Sequence, residues 1–187
     1  MDRIKTARQA VFLERLTDAK NRLLHSIAGL DQATLCTEPV AGDWTAKDIL
    51  GHVVSWDREF RVDIGMILRG KHPGHDHWIL SDEDYNRWNQ RCAAHKRRWT
   101  WRRIRADLDR DFRETSTLIL RLQPGDFRKR GVTPWKRAAT EKPAAPSPAD
   151  TDSVATLITF HWRHIHQHAR MLEVWRRRRA RRMLPRK

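Results

Sequence analysis

Four of the chain's ten histidines crowd into one stretch, Phe160-His161-Trp162-Arg163-His164-Ile165-His166-Gln167-His168. Neutral imidazole nitrogens are good ligands for zinc, nickel or iron, so the spacing decides what this stretch can do. On a helix, His164 and His168 stand about 40° apart on adjacent turns of one face. His161 joins that face, and Leu157, Ile158 and Leu172 turn it toward a core. His166 points roughly 160° away from His168 and is expected in solvent. Burying imidazoles side by side is costly without partners, because each keeps a donor and an acceptor to satisfy. A shared divalent cation removes that cost, and an H-x-x-x-H pair presents two ligands to one ion. The third ligand must come from another helix. His52 is the candidate, since it occupies the middle of the stripe Ile49, Val53 and Trp56, where a leucine is expected. Whether His164 or His161 partners His168 stays open, with the i, i+4 spacing favouring His164.

Further residues invite weighing. Asp57 and Glu59, just beyond His52, are candidates for a base or for an acceptor of an imidazole N–H; a solvated helix face accounts for them equally well. Trp44, Trp56 and Trp162 are candidate pocket walls, although an aromatic at stripe spacing is more often core filler. His72, His75 and His77 in the loop 71–77 read as solvated, because nothing rigid positions them. Cys36 and Cys92 form no CxxC, so neither a structural zinc cluster nor a redox pair is indicated.

The elements that must position these groups are helical. Phe12, Leu16, Ala19, Leu23, Ile27 and Leu30 step by three or four through a first segment at about 3–30. A second opens at Thr45 with Asp48 three residues on, a relative of the capping box, and ends before Gly70 and Pro73. A third runs over 82–122, as one kinked helix or as two. The fourth begins near Ser153 and continues into the arginine run. No strand-type alternation competes except the undecided stretch around Val132-Thr133-Pro134-Trp135. Four amphipathic helices predict an all-α four-helix bundle. A Pro/Ala-rich loop at 139–152 lies within the bundle domain, 1–175, and a basic C-terminal tail covers 176–187.

At 187 residues the chain suits one domain. Its net charge of +15 is uneven, since eight of the basic residues and no acid fall in 176–187. That tail supports an alternative reading, a non-catalytic binding protein contacting nucleic acid. No zinc finger, RNP-type strand or recognition helix accompanies it, so nucleic acid is the lesser expectation. There is no apolar leader after Met1-Asp2-Arg3 and no run of 18 apolar residues, so a cytoplasmic protein without membrane contact is expected.

Four stretches resemble a known family. Leu24-His25-Ser26-Ile27-Ala28-Gly29-Leu30 is one, followed by Pro39-Val40-Ala41-Gly42-Asp43-Trp44-Thr45-Ala46-Lys47-Asp48-Ile49-Leu50-Gly51-His52-Val53-Val54-Ser55-Trp56. The second stretch carries a GxWxxKDxxxHxxxW pattern similar to that of the DinB superfamily. It is nearest the DfsB/ClbS-like branch and its relatives among mycothiol-dependent enzymes. Asp84-Tyr85-Asn86 resembles that branch's start of the third helix, and Trp162-x-His164-x-x-x-His168 its fourth-helix motif. The resemblance covers most of residues 10–175. It implies a DinB-type bundle, often dimeric, with nickel or zinc held by three histidines, His52, His164 and His168, and a position open toward a pocket. It further implies a small-molecule substrate, an electrophilic metabolite or toxin. The reaction would be transfer of a low-molecular-weight thiol or hydrolysis.

Overall fold

The computed structural model describes residues 4–71, 73, 82–133 and 151–183. Helix α1 (Ala7–Ile27) opens on a capping box in which Thr6 accepts from the Gln9 backbone N–H. The buried Gln9 side chain also donates to the carbonyls of Ile119, Leu120 and Leu122, satisfying orphan acceptors at the end of a helix 110 residues away. Gly29, in the left-handed region at φ 76°, stops the chain just beyond α1. A short helix α2 (Gln32–Thr37) and a hairpin of β1 (Pro39–Ala41) with β2 (Trp44–Thr45) follow. The turn between the two strands is Gly42-Asp43, and Gly42 supplies the positive φ of 57° that it requires.

Helix α3 (Ala46–Leu68) starts on the expected Thr45 cap, with Asp48 closing the box reciprocally. The expected third segment resolves into two helices, α4 (Asp82–Arg97) and α5 (Trp101–Arg121). Thr100 breaks them apart: its backbone is extended and its hydroxyl accepts from the Arg103 N–H, so it caps α5 instead of continuing α4. Lys47 donates to the carbonyls of Arg97 and Trp99, which fastens the end of α4 to the start of α3. Of the undecided stretch, Val132 ends a strand and Thr133 lies just past it, while Pro134 and Trp135 lie outside the described residues. β3 (Arg130–Val132) pairs antiparallel with β4 (Thr151–Ser153), so 151 and 152 belong to a strand and not to the expected loop. The remainder of that loop, 139–150, lies outside the described residues. β4 leads directly into α6 (Val154–Met183), 30 residues that carry the helix through the arginine run.

Helices α1, α6, α3 and α5 form a ring in which each packs on two neighbours, and α4 lies outside against α3. This is the expected all-α four-helix bundle, with α2 and α4 as additions. Leu16, Leu23, Ile49, Leu50, Ile104, Ile119, Leu157 and Leu172 are all but fully buried where the helices meet. Burial of this kind contributes roughly 1.5–3 kcal/mol per side chain. Among the described residues, no helix is long and apolar enough to cross a membrane.

Candidate metal centre

The capped start of α3 sets the rotation of that helix, and His52 falls on its core-facing stripe at 2% exposure. Trp44 of the β1–β2 hairpin packs edge-on against the His52 ring, with centroids 5.3 Å apart. Across the bundle, α6 presents His164 and His168 from successive turns. The three imidazoles meet. His164 Nε2 lies 3.0 Å from His52 Nε2 and 3.0 Å from His168 Nε2, and the three nitrogens all fall within 4.8 Å of one another.

That convergence fits a cation and fits poorly with hydrogen bonding alone. His164 Nε2 carries either one proton or one lone pair, so it makes one ordinary hydrogen bond at most, yet it faces two nitrogens. The Nδ1 atoms of all three are buried and have no hydrogen-bond partner among the described residues. With the proton on Nδ1, three Nε2 lone pairs converge on one point, the donor set that zinc or nickel takes. Burial also keeps the rings neutral, the form that binds metal. It pushes His52 down to about 2, assisted by the nearby charges of His168 and Lys96, and pushes His168 down to about 4. His164 falls well below its ordinary value for the same reason, with His168, His52 and His161 adding to it.

Two cavities flank the cluster. One of about 320 Å³ is lined by Trp56, Phe60, Tyr85, Phe160, Arg163, His164 and Gln167. The other, of about 270 Å³, reaches His52 and His168 past Trp44, Met171 and the α4 residues Asn86, Asn89 and Gln90. Tyr85 lines both. Trp56 is held by a hydrogen bond from its indole N–H to Asn89 Oδ1 at 3.0 Å and by rings of Tyr85 and Trp88 at 5.4 and 4.5 Å.

His161 stands apart from the cluster that His52, His164 and His168 form. It is buried against Phe60, with ring centroids 5.2 Å apart, and its Nε2 lies 3.5 Å from Asp57 Oδ1. Burial lowers His161 to about 3 and, with Asp111 nearby, raises Asp57 to about 8. The two are therefore neutral neighbours and not an ion pair. Asp57 faces His161 instead of an imidazole of the triad, and Glu59 is half-buried. His166 departs from expectation: it is half-buried at the seam with α1, where Arg22 Nη1 meets its Nε2 and Arg22 also pairs with Glu173. Trp44 and Trp56 do line cavities, while Trp162 is packing that carries Arg163 over its ring at 5.4 Å. His72, His75 and His77 lie outside the described residues.

The cavity residues that sequence reading missed are Phe160, Arg163 and Gln167, and Tyr85 as a wall. A signal for the first three existed. They repeat at i, i+3 and i+7, one stripe round from His161, His164 and His168.

Two solved structures share the fold. One is a protein from Streptococcus pneumoniae, 12% identical with a TM-score of 0.70 over 95% of this chain and 94% of that one. The other is an uncharacterized protein from Clostridium difficile 630, 10% identical with a TM-score of 0.70 over 92% and 98%. No curated protein matches. The family model for the DinB superfamily matches residues 15–172, a span that runs from α1 to the inner part of α6 and includes all three clustered histidines. The chain belongs to the DinB superfamily.

Proposed function

We propose that this protein is a metal-dependent enzyme acting on a small electrophilic metabolite or toxin, by thiol transfer or hydrolysis, in the manner of the DfsB/ClbS-like branch. His52, His164 and His168 would hold a divalent ion, nickel or zinc. The observation that carries the reading is the meeting of three Nε2 atoms from two helices at the edge of two cavities. Three protein ligands leave coordination open for a water or substrate, the pattern of catalytic rather than structural sites. An ion held there by His52, His164 and His168 would supply Lewis acidity for activating a water or thiol and polarising an electrophile.

The chain's own side chains do the rest. Trp56, Phe60 and Tyr85 form an apolar wall of the cavity that His164 also lines. Asn89 fixes the Trp56 indole, and with it the width of the cavity. The amides of Asn86 and Gln90 line the other cavity and give it polar contacts for a second molecule.

The test follows consumption of a model electrophile by the purified, untagged protein, with and without a low-molecular-weight thiol. Turnover that is lost on chelation, restored by nickel or zinc, and missing from His52→Ala supports the reading. Turnover indifferent to chelation and to His52→Ala overturns it.

A further inference from the structure

The larger cavity is built by two adjacent stripes of α6 and a wall from two other helices. Phe160, Arg163 and Gln167 form the outer stripe, and His164 belongs to the inner one that carries the cluster. Opposite stand Trp56 and Phe60 from α3 and Tyr85 from α4. The interior is thus aromatic on both sides, and at about 320 Å³ it suits a small ligand.

Among the described residues of this lining there is a single cationic side chain, Arg163, and no carboxylate. Some arginines elsewhere in the bundle are paired, among them Arg22 with Glu173, Arg61 with Asp111 and Glu114, Arg97 with Asp43 and Asp48, and Arg179 with Glu38. Arg163 makes no ion pair among the described residues. It is exposed at the rim, with its guanidinium lying over the Trp162 ring at 5.4 Å, which restricts where it can swing. Gln167, one turn further along the same stripe, adds an amide donor beside it.

Resting on the proposed function, we infer that this cavity selects a substrate with a flat apolar body and one carboxylate. The body is stacked between the aromatic walls, and the carboxylate is held at the rim by Arg163 with Gln167. A guanidinium offers two parallel N–H donors to a carboxylate and none that suits a neutral amide of the same shape equally well. Held this way, the ligand lies along His164, so its far end is directed at the cluster. Arg163 is then the residue that sets specificity, and the histidines set reactivity.

The test is calorimetric titration of the full-length protein with phenylacetate and, separately, phenylacetamide, as purified and after chelation. Chelation matters because a carboxylate can also bind a metal directly. The expected result in the chelated protein is a preference for the acid of about tenfold, the size of one charge-assisted contact. Arg163→Gln should abolish the preference, Arg163→Lys should keep part of it, and Arg170→Gln, an exposed charge outside the cavity, should leave it intact. Equal binding of acid and amide, absence of binding by either, or a preference that survives Arg163→Gln would overturn the assignment. So would a preference that disappears on chelation alone. Metal stoichiometry reads the histidines and not Arg163, so failure here is distinct from failure of the metal reading.

Discussion

At the scale of single residues, the decisive contrast is between His164 and His161, three positions apart on one buried face. Helical pitch places His161, His164 and His168 within an arc of about 60°, so the i, i+4 spacing favours His164 without excluding His161. The choice is made by what α3 offers opposite each: His52 for His164, and Asp57 with Phe60 for His161. That is tertiary information, which no single-helix pattern contains. His52 was legible because a histidine on an apolar stripe is conspicuous; the burial of His166 was not, because it depends on Arg22 arriving from α1. Asp57 yields a prediction. Its carboxyl sits near 3.8 when unfolded and is raised to about 8 when folded, chiefly by burial. Between those values the native state holds a proton that the unfolded chain has released, so stability falls as pH rises toward 8. Unfolded histidines release their protons around pH 6.5, and His52, His161, His164 and His168, neutral when buried, drive stability the other way there, so the carboxyl is read as the difference between the wild type and Asp57→Asn. From about pH 6.5 to about 8 the melting temperature of the wild type should fall relative to that of Asp57→Asn. Equal slopes in thermal scans of the two would refute the assignment.

At the scale of elements, periodicity found the four bundle helices and their faces because apolar stripes leave a strong signal. The first expected helix, at about 3–30, shortens to Ala7–Ile27, bounded by the Thr6 cap and Gly29. Thr45 and Asp48 marked the start of α3 to the residue. Thr100 gives the same kind of signal before α5, but with no acid three residues on it does not stand out, so one helix or two stayed undecided. The first strand pair was invisible to patterning and the second showed only as the undecided stretch at Val132, since strands of two or three residues have no room to alternate. β3 nevertheless matters to the packing. A Cβ at Gly131 would stand 2.6 Å from Ile67 Cγ1, a buried atom of α3. Gly131→Ala must therefore displace the strand or the helix, at a cost of about 1–3 kcal/mol. Denaturant unfolding should show that loss with the slope unchanged; a variant as stable as the wild type would mean that the strand is not seated on Ile67.

For the whole molecule, the excess of positive charge is partly spent within the fold. Arg179 grips Glu38 with contacts of 2.8 Å and reaches Thr34, while Arg176 donates to the His25 and Ser26 carbonyls, so the arginine run holds α6 against α1 and α2. The sequence made the run visible and its internal partners invisible, and this favours a structural use for those two arginines over nucleic-acid contact. The cluster has a similar reach, because His52 and His164 stand 112 residues apart in the chain and join α3 to α6. The proposed function depends on one cation held by nitrogens from both helices. Its most direct test is the metal content of the untagged protein, by elemental analysis, beside His52→Ala and His164→Ala. About one nickel or zinc per chain in the wild type, lost in both variants while each stays folded, is the predicted result. Folded variants that keep their metal, or a wild type that takes up none when nickel or zinc is supplied, would contradict it.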